Sequence, residues 1–307
     1  MALKDKIPFG MALPHRTMDP LNLSDIRDVA QRAEALGFSD LWVTENTLDN
    51  NYSVDPMVVL TYAAALTHRI GLGVAVVVLP VHHAFHAAHQ AVSLDFVSNG
   101  RAILGVGLGR VEDYNDFQVS TERRVRRFKE QIDVMKALWT QNRVTYEGHF
   151  YTLKDTAITL KSPRKPHMRL WLGGSHPDAV TRAATLGTGW IGAGGATKEG
   201  FTGSVAHLRT ALEKAGVAQS SFTISKRVFM AVEEKPGAAR EQMLRWCTDV
   251  YRNPGLIDNT GAVYGTPEQC REKIESLIAA GANHLLLNPV AQFPEQLEAI
   301  AEVVGFG

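Results

Sequence analysis

The sequence predicts an α/β fold: a (β/α)8 TIM barrel that forms one domain over residues 1–307. Short apolar and β-branched runs alternate with amphipathic helical patterns along the whole chain. One run, RIGLGVAVVVL, is apolar almost throughout, as is typical of a parallel strand that helices cover on both faces of the sheet. Such barrels reach 307 residues as a single domain, and a doubly wound open sheet is the alternative.

Eight strands are expected, and each is followed by a helix. The predicted strands are 7–13, 39–44, 69–79, 101–107, 168–174, 188–194, 222–232 and 284–288. The predicted helices are 23–38, 55–68, 84–98, 120–139, 177–187, 200–216, 237–251, 266–282 and 293–304. Residues 143–167 break the alternation, because they contain period-2 stretches and no helical pattern. We expect a β-rich insertion there.

Residues that commonly cap or end helices predict several helix boundaries. Ser24 is a candidate N-cap for the first helix, and Gly37 is its expected stop. Asp55 stands at the N-cap position of the second helix, with Pro56 at N1, where a missing N–H costs nothing. Ser120 or Thr121 is expected to open the long fourth helix.

The composition argues against several classes of protein. Thirty-two basic residues balance 32 acidic ones without a basic tract, so the chain lacks the charge pattern of a nucleic-acid binder. Cys247 and Cys270 have no CxxC partner, so neither a zinc site nor a disulfide framework is expected. Without a signal peptide or a membrane span, a reduced, cytoplasmic protein is expected.

In this fold the active site forms at the carboxyl ends of the strands. That rule selects a set of candidate residues from the sequence. They are His15, Glu45, Asn46, His82, His83, Gly107–Arg110, Gly173–Ser175, Gly192–Gly195 and Asn288. The loops 46–54 and 110–120 are expected to contact the substrate, and Asp49, Tyr52 and Tyr114 could reach the pocket from them.

Three glycine-rich strand ends indicate a ligand. Gly105, Gly107 and Gly109 lack the GxGxxG spacing and the directly following helix of a dinucleotide fold, since 110–120 looks like a loop. They let the backbone approach a flat group closely, or they merely accommodate a bend of the barrel. Gly173–Ser175 and Gly192–Gly195 each precede a helix start, where free amides favour a phosphate.

Four histidines follow the third strand in VVVLPVHHAFHAAHQ. His82, His86 and His89 would share a face of a helix that begins near His82, and zinc accepts imidazole ligands. No acidic residue lies in this stretch, and His15 is alone on the first strand, so a metal site is not the favoured interpretation of these histidines. We expect His82 or His83 to line the pocket, with His86 and His89 on the helix surface or behind the pocket.

Several stretches together resemble the luciferase-like monooxygenase superfamily. They are GFSDLWVTEN, THRIGLGVAVVVLPVHHAFHAAHQAVSLDFVSNGRAILGVGLGR, TERRVRRFKEQIDVMKALW, YEGHFYTL, RLWLGGSHPDAVTRAATLGTGW and GTPEQCREKIESLIAAGANHLLL. They occur in the order seen in that superfamily and cover nearly the whole chain. The sequence as a whole is most similar to the branch that uses the deazaflavin coenzyme F420, rather than to the branch that uses FMN.

The resemblance implies a barrel with a flavin-like ring at its mouth. It implies a non-prolyl cis peptide near Ala75, Val76 and Val77, in a bulge that supports the ring. The ring or its ribityl chain would run beside Gly107, Leu108 and Gly109. The phosphate would be held by Gly173, Gly174 and Ser175 and by Gly192, Ala193, Gly194 and Gly195. The resemblance also implies a homodimer.

Two positions depart from the deazaflavin pattern. Asn46 stands where that group often has histidine in an Asp-His pair, and Arg110 stands where some members carry an acid. The proton donor known in the group therefore cannot be transferred, and His15 and His82 become the candidates because histidine titrates near neutral pH. Glu45 is expected to orient the ring or a neighbouring side chain. Arg110 is expected to face an anionic substrate or the acidic tail of the cofactor, or to be a solvated charge at the rim.

The favoured function is a coenzyme F420-dependent oxidoreductase that transfers a hydride between the deazaflavin C5 and a small organic substrate. The first alternative is an FMN-dependent monooxygenase that uses O2 and reduced flavin delivered by a separate reductase. Two other classes stay open: a metallohydrolase or isomerase without flavin, and a non-catalytic flavin-binding protein.

Overall fold

A computed structural model describes residues 2–259 and 261–306 of the chain. Met1, Thr260 and Gly307, which belong to the predicted domain 1–307, lie outside the described residues. The strands are β1 (Phe9–Ala12), β2 (Arg16–Thr17), β3 (Asp40–Val43), β4 (Tyr52–Ser53), β5 (Gly71–Val78), β6 (Ala102–Gly107), β7 (Val144–Glu147), β8 (Thr152–Thr156), β9 (Arg169–Gly173), β10 (Gly189–Gly192), β11 (Thr223–Val232), β12 (Val263–Gly265) and β13 (His284–Pro289).

Helices follow most of the strands of the main sheet and cover it from outside. They are α1 (Leu23–Leu36), α2 (Pro56–Leu66), α3 (Ala84–Val97), α4 (Val111–Asp116), α5 (Arg124–Thr140), α6 (Pro177–Leu186), α7 (Lys198–Lys214), α8 (Pro236–Asp249), α9 (Leu256–Asn259), α10 (Pro267–Ala279) and α11 (Phe293–Val304). Short 3-10 turns cover Leu3–Asp5, Leu79–Val81 and Gln219–Ser221.

Eight parallel strands close into a barrel. Their order around the ring is β1, β3, β5, β6, β9, β10, β11 and β13, and β13 pairs with β1 to close it. The short strand β12 adds to the end of β11, where Met230 pairs with Val263. The predicted (β/α)8 class is therefore confirmed, and the open-sheet alternative is wrong because the sheet has no free edge between β1 and β13.

Two tryptophans fill the interior of the barrel. Trp42 on β3 and Trp171 on β9 lie 5.1 Å apart between ring centroids. Glycines opposite them make the room: a Cβ at Gly189 would lie 2.6 Å from Cδ1 of Trp171, and one at Gly73 would overlap Trp42. The indoles fill the interior, and in this fold ligands bind at the mouth formed by the carboxyl ends of the strands.

A buried polar network crosses the opposite, amino-terminal end of the barrel. Asp40 lies 3.0 Å from Nε2 of His284, whose Nδ1 lies 2.7 Å from the Ser225 hydroxyl. Burial raises the pKa of Asp40, but His284 and the hydroxyl of Ser39 outweigh that effect and hold the pKa below its usual range. Asp40, His284 and Ser225 each have a hydrogen-bond partner, so the network is structural.

The structure corrects four local predictions. Asn22 rather than Ser24 caps α1, and its side chain accepts the Ser24 amide at 3.1 Å. The long helix begins at Arg124 rather than at Ser120 or Thr121, because the turn before it uses those residues. Residues 111–116 form the short helix α4 instead of a loop. The β-rich insertion 143–167 is a hairpin only over 144–156.

Candidate active site

A cavity of about 750 Å³ opens at the mouth of the barrel. The strand-end residues expected to bind the cofactor meet there, with the exception of Val77. Those that line it are Ala75, Val76, Gly107, Leu108, Gly109, Gly173, Gly174, Ser175, Gly192, Ala193, Gly194 and Gly195. Of the five predicted catalytic residues, Arg110 alone lines this cavity.

Val76 forms the floor of the cavity. The peptide bond between Ala75 and Val76 is cis, as the resemblance implies, and the pairing of β5 with β6 shifts register between Val74 and Val77. A Cβ at Gly107 would lie 2.6 Å from the Val76 side chain, and one at Gly173 would lie 2.9 Å from it. The two glycines thus leave the space into which Val76 projects, and an apolar surface results.

The first glycine loop links β9 to α6. Gly174 has φ +134°, which disfavours any side chain there, and its carbonyl accepts the Trp190 indole N–H at 2.7 Å. His176 caps α6 and accepts the Asp178 amide. The loop is held from behind by Trp190, and Gly174 and Ser175 line the cavity.

The second glycine loop is held by a buried lysine. Nζ of Lys226 donates to the carbonyls of Ala193 and Ala196, each at 3.0 Å. Lys226 is fully buried, and burial lowers the pKa of its ammonium group to about 8. With two carbonyls of the loop bound from below, Gly194 and Gly195 form part of the cavity wall.

Three arginines stand at the outer rim of the cavity. Arg124 and Arg182 are half-buried, whereas Arg110 is exposed and pairs with Asp113 at 3.2 Å. Asp178 is the one acidic residue among the lining residues. The rim is therefore positively charged and suits an anionic ligand.

His15 lies buried at the end of β1. Its Nε2 accepts the Thr44 amide at 2.8 Å, so the ring proton sits on Nδ1, which donates to the Leu13 carbonyl at 2.8 Å. Burial, with smaller contributions from the charges of Arg227 and Arg16, lowers the pKa of His15 to about 4. The ring is neutral at pH 7 and both nitrogens are occupied, which leaves no proton for a substrate.

Glu45 and His82 form a pair beside the floor. Nε2 of His82 lies 2.5 Å from Oε1 of Glu45, and the other carboxylate oxygen accepts the Val78 amide at 2.6 Å. Burial lowers the pKa of His82, but the hydrogen bond and charge of Glu45 outweigh it and leave the pKa raised. Both residues, with Val77, line a separate small cavity of about 60 Å³.

The loop residues predicted to reach the pocket do not line the large cavity. Asn46 donates to the Thr44 hydroxyl at 2.6 Å, and Asp49 pairs with Arg16 at 2.5 Å. Tyr52 is exposed on β4. Tyr114 is buried, and its hydroxyl donates to the Leu108 carbonyl at 2.7 Å, so it supports a lining residue from behind.

The remaining histidines are dispersed. The helix α3 begins at Ala84 with His83 as its N-cap, so His82 precedes it, while His86 and His89 are exposed on the helix. Within 2–259 and 261–306, no three histidine, cysteine or acidic side chains are grouped as metal ligands. In the same ranges, no helix combines the length and the apolar character needed to cross a bilayer.

The sequence analysis missed part of the cavity wall. Arg227 and Phe229 on β11, Ile191 on β10 and Tyr251 after α8 line it. Arg227 donates from Nε and Nη2 to Oδ1 of Asn288, at 2.9 and 2.5 Å. One signal was present: an arginine and a lysine stand side by side within the apolar strand FTISKRVFMAV, where charges need a specific reason.

Comparisons with known proteins identify the family of this chain. The model of the luciferase-like monooxygenase family matches residues 7–284. An F420-dependent glucose-6-phosphate dehydrogenase from Kineococcus radiotolerans is 26% identical over 72% of this chain and 68% of its own. The 4-hydroxyprotoasukamycin monooxygenase of Streptomyces nodosus subsp. asukaensis is 34% identical over 52% of this chain and 45% of its own.

Solved structures show the same fold. An F420-dependent secondary alcohol dehydrogenase with an F420–acetone adduct has a TM-score of 0.85 at 18% identity, covering 98% of this chain and 99% of its own. The monooxygenase RslO1 from Streptomyces bottropensis has a TM-score of 0.82 at 23% identity, covering 96% and 98%. With the family model matched over most of its length, this chain belongs to the luciferase-like monooxygenase family.

Proposed function

We propose that this protein is an oxidoreductase that uses coenzyme F420 and transfers a hydride to or from a small organic substrate. The observation that carries the proposal is the cavity floor, where Val76 projects over Gly107 and Gly173. An apolar floor at the mouth of a barrel suits a planar ring, which would stack on it. The F420-dependent relatives support this choice of cofactor.

The residues present fit such a cofactor. Val76, Gly107 and Gly173 would support the ring, and the loops at Gly174 and Gly194 would hold the phosphate. The rim arginines Arg110, Arg124 and Arg182 would face the anionic tail. When bound, the cofactor supplies a hydride donor or acceptor at its ring carbon C5.

His82 is the proposed proton-holding group. Glu45 keeps its pKa raised, so a larger share of the ring is protonated near neutral pH than in a free histidine. Because Nε2 faces Glu45 and His82 lines the small cavity rather than the large one, its proton would reach the large cavity from Nδ1 through a water molecule. His15 lacks this capacity, and we propose that it positions the end of β3 through the Thr44 amide.

An FMN-dependent monooxygenase is the second candidate. Two residues favour it: Asn46 and Arg110 replace groups that supply protons in the deazaflavin pattern. The relative named 4-hydroxyprotoasukamycin monooxygenase supports a monooxygenase, and the riboflavin lyase structure with modified FMN, which shares the fold, supports a flavin as the ligand. In that case a separate reductase would deliver the reduced flavin.

Titration of the purified protein with F420 and with FMN, followed by cofactor fluorescence, tests the proposal. F420 is expected to bind more tightly, and Gly107→Leu is expected to abolish the binding because its side chain would collide with Val76. Gly203→Ala is the control, since its new Cβ meets nothing within 4 Å on α7. Tighter binding of FMN would favour the monooxygenase, and binding of neither cofactor would contradict both candidates.

A further inference from the structure

Arg227, a cation in the cavity wall, has no anionic partner among the residues that the structure describes. Arg227 lies on the inward face of β11, between Ser225 and Phe229, and lines the cavity. Its guanidinium group is held by the amide oxygen of Asn288 and stacks 4.9 Å from the Phe229 ring centroid. These contacts fix the group in place without neutralising its charge.

The neighbouring charges do not balance Arg227. Asp49 is already paired with Arg16, and His15 is neutral because its Nε2 accepts an amide proton. Among the residues that the structure describes, no carboxylate pairs with Arg227; Tyr251 interacts favourably with its charge, and Arg16 opposes it. One positive charge is left over on this side of the cavity.

Lys226 and Arg227 differ in how their donors are used. Lys226 directly precedes Arg227 on the strand and faces outward, and its ammonium group donates to two carbonyls. Nη1 of Arg227 makes no hydrogen bond to the described residues and is not sealed from the cavity. Burying a charge without a counter-ion is unfavourable, so the arrangement is suited to an anion that enters with a ligand.

We infer that Arg227 binds a carboxylate of the substrate, held by the free Nη1 and Nη2 edge of the guanidinium group. A planar monoanion matches both the single uncompensated charge and the fork of donors, whereas a phosphate monoester brings nearly two charges. The glycine loops after β9 and β10 would hold the cofactor phosphate, and Arg124 and Arg182 would face its anionic tail, which leaves Arg227 for the substrate. The inference rests on the proposed function only in naming this carboxylate as part of the substrate.

Benzoate and benzamide are a matched pair of probes, because they have the same shape and differ in charge. Calorimetric titration of the protein without cofactor is expected to show benzoate binding that Arg227→Met weakens about 10- to 100-fold, the usual loss for a hydrogen bond to a charged group. Benzamide affinity is expected to be nearly equal in both proteins. Arg227→Lys keeps the charge without the fork and is expected to bind benzoate at an intermediate strength.

Cofactor binding separates this inference from the proposed function. F420 affinity is expected to be unchanged in Arg227→Met. Benzoate binding that is absent, or that is equal in the wild type and Arg227→Met, overturns the inference. So does a loss of F420 affinity in Arg227→Met with benzoate binding intact, which would assign Arg227 to the cofactor. If F420 and FMN both fail to bind while benzoate still requires Arg227, the proposed function is wrong and the carboxylate site stands.

Discussion

Oε1 of Glu45 lies 2.5 Å from Nε2 of His82, so the ends of β3 and β5 are joined by an acid–base pair at the barrel mouth. The second oxygen of Glu45 binds the Val78 amide, two residues beyond the cis peptide at Val76. The carboxylate therefore fixes both the strand that forms the cavity floor and the protonation of the histidine beside it. The sequence led us to expect that Glu45 orients the ring or a neighbouring side chain, but it identified neither His82 nor the Val78 amide as the partner.

Replacing Glu45 by Gln is expected to lower the pKa of His82. Burial is the largest influence on this ring and lowers its pKa, and only Glu45 and, more weakly, Asp55 oppose it. Without the carboxylate, His82 should lose its proton at a lower pH. An NMR titration with ring-labelled histidine measures the midpoint, and His82→Asn identifies its signal.

Asp55→Asn is the matched control for that experiment. Asn can still cap α2, and the charge of Asp55 is the weakest of the contributions to His82. A smaller downward shift is expected in this variant. An unchanged midpoint in Glu45→Gln would show that the pair does not control the protonation of His82.

His15 is expected to make the fold sensitive to acid. The unfolded chain takes up a proton at His15 near pH 6.5, but the folded protein does so only near pH 4. The stabilising contribution is therefore complete above pH 6.5 and is lost as the pH falls toward 4, by about 3 kcal/mol in total. Urea unfolding at several pH values between these limits measures the slope.

A glutamine at position 15 should flatten this pH dependence. Its carboxamide oxygen can still accept the Thr44 amide, yet it cannot be protonated in this range. His68→Gln serves as the control because the His68 side chain is exposed, and it should leave the slope as in the wild type. Equal slopes in the wild type and His15→Gln would mean that His15 titrates alike in both states.

An acidic residue at Gly195 is expected to weaken binding of a phosphate. A Cβ at Gly195 meets nothing within 4 Å, whereas Gly174 has a positive φ and lies against Ala179, so Gly195 is the cleaner position. Gly195→Asp should weaken FMN binding about tenfold relative to Gly195→Asn, which has the same size without the charge. Riboflavin, which lacks the phosphate, should bind both variants alike. A similar loss for both flavins would place the phosphate elsewhere.

The sequence predicted the barrel because alternation of strand and helix patterns leaves few other folds, and it located most of the cavity because glycines at strand ends are visible in a sequence. It did not find Arg227, because the face to which each residue of a buried strand turns depends on its pairing with neighbours. In β11, Lys226 faces outward and Arg227 faces the cavity. The two look alike until the register with β13 is known.

The start of α5 was missed for a local reason. Ser120 and Thr121 are good helix caps by type, but the Ser120 carbonyl accepts the Arg127 side chain and the Thr121 carbonyl accepts the Arg124 amide in a turn. The sequence identified the catalytic candidates by residue type, but it did not show their protonation states. Only the hydrogen bonds show that Nε2 of His15 is an acceptor, so that this ring is neutral, and that His82 pairs with Glu45.

The homodimer implied by the resemblance is expected to involve α2. The exposed residues Val58, Thr61 and Ala65 recur at helical spacing on its outer face, and the helix carries no charged side chain. A surface helix without charges is typical of one that another subunit covers. Val58→Glu should shift the protein to a monomer in sedimentation analysis. Thr210→Glu on the exposed side of α7 should leave the mass unchanged, and a dimer retained in Val58→Glu would exclude this face.

Lys226 is expected to make phosphate binding depend on pH. Its ammonium group holds the carbonyls of Ala193 and Ala196, and burial lowers its pKa to about 8, so the charge below the loop is lost as the pH rises through 8. FMN affinity should therefore fall between pH 7 and pH 9, while the phosphate itself, with a second pKa near 6, stays dianionic. Lys226→Met should bind FMN weakly and without this pH dependence. Riboflavin provides the control, because a loss for riboflavin of the same size would show that Lys226 supports the shape of the loop rather than attracting the anion.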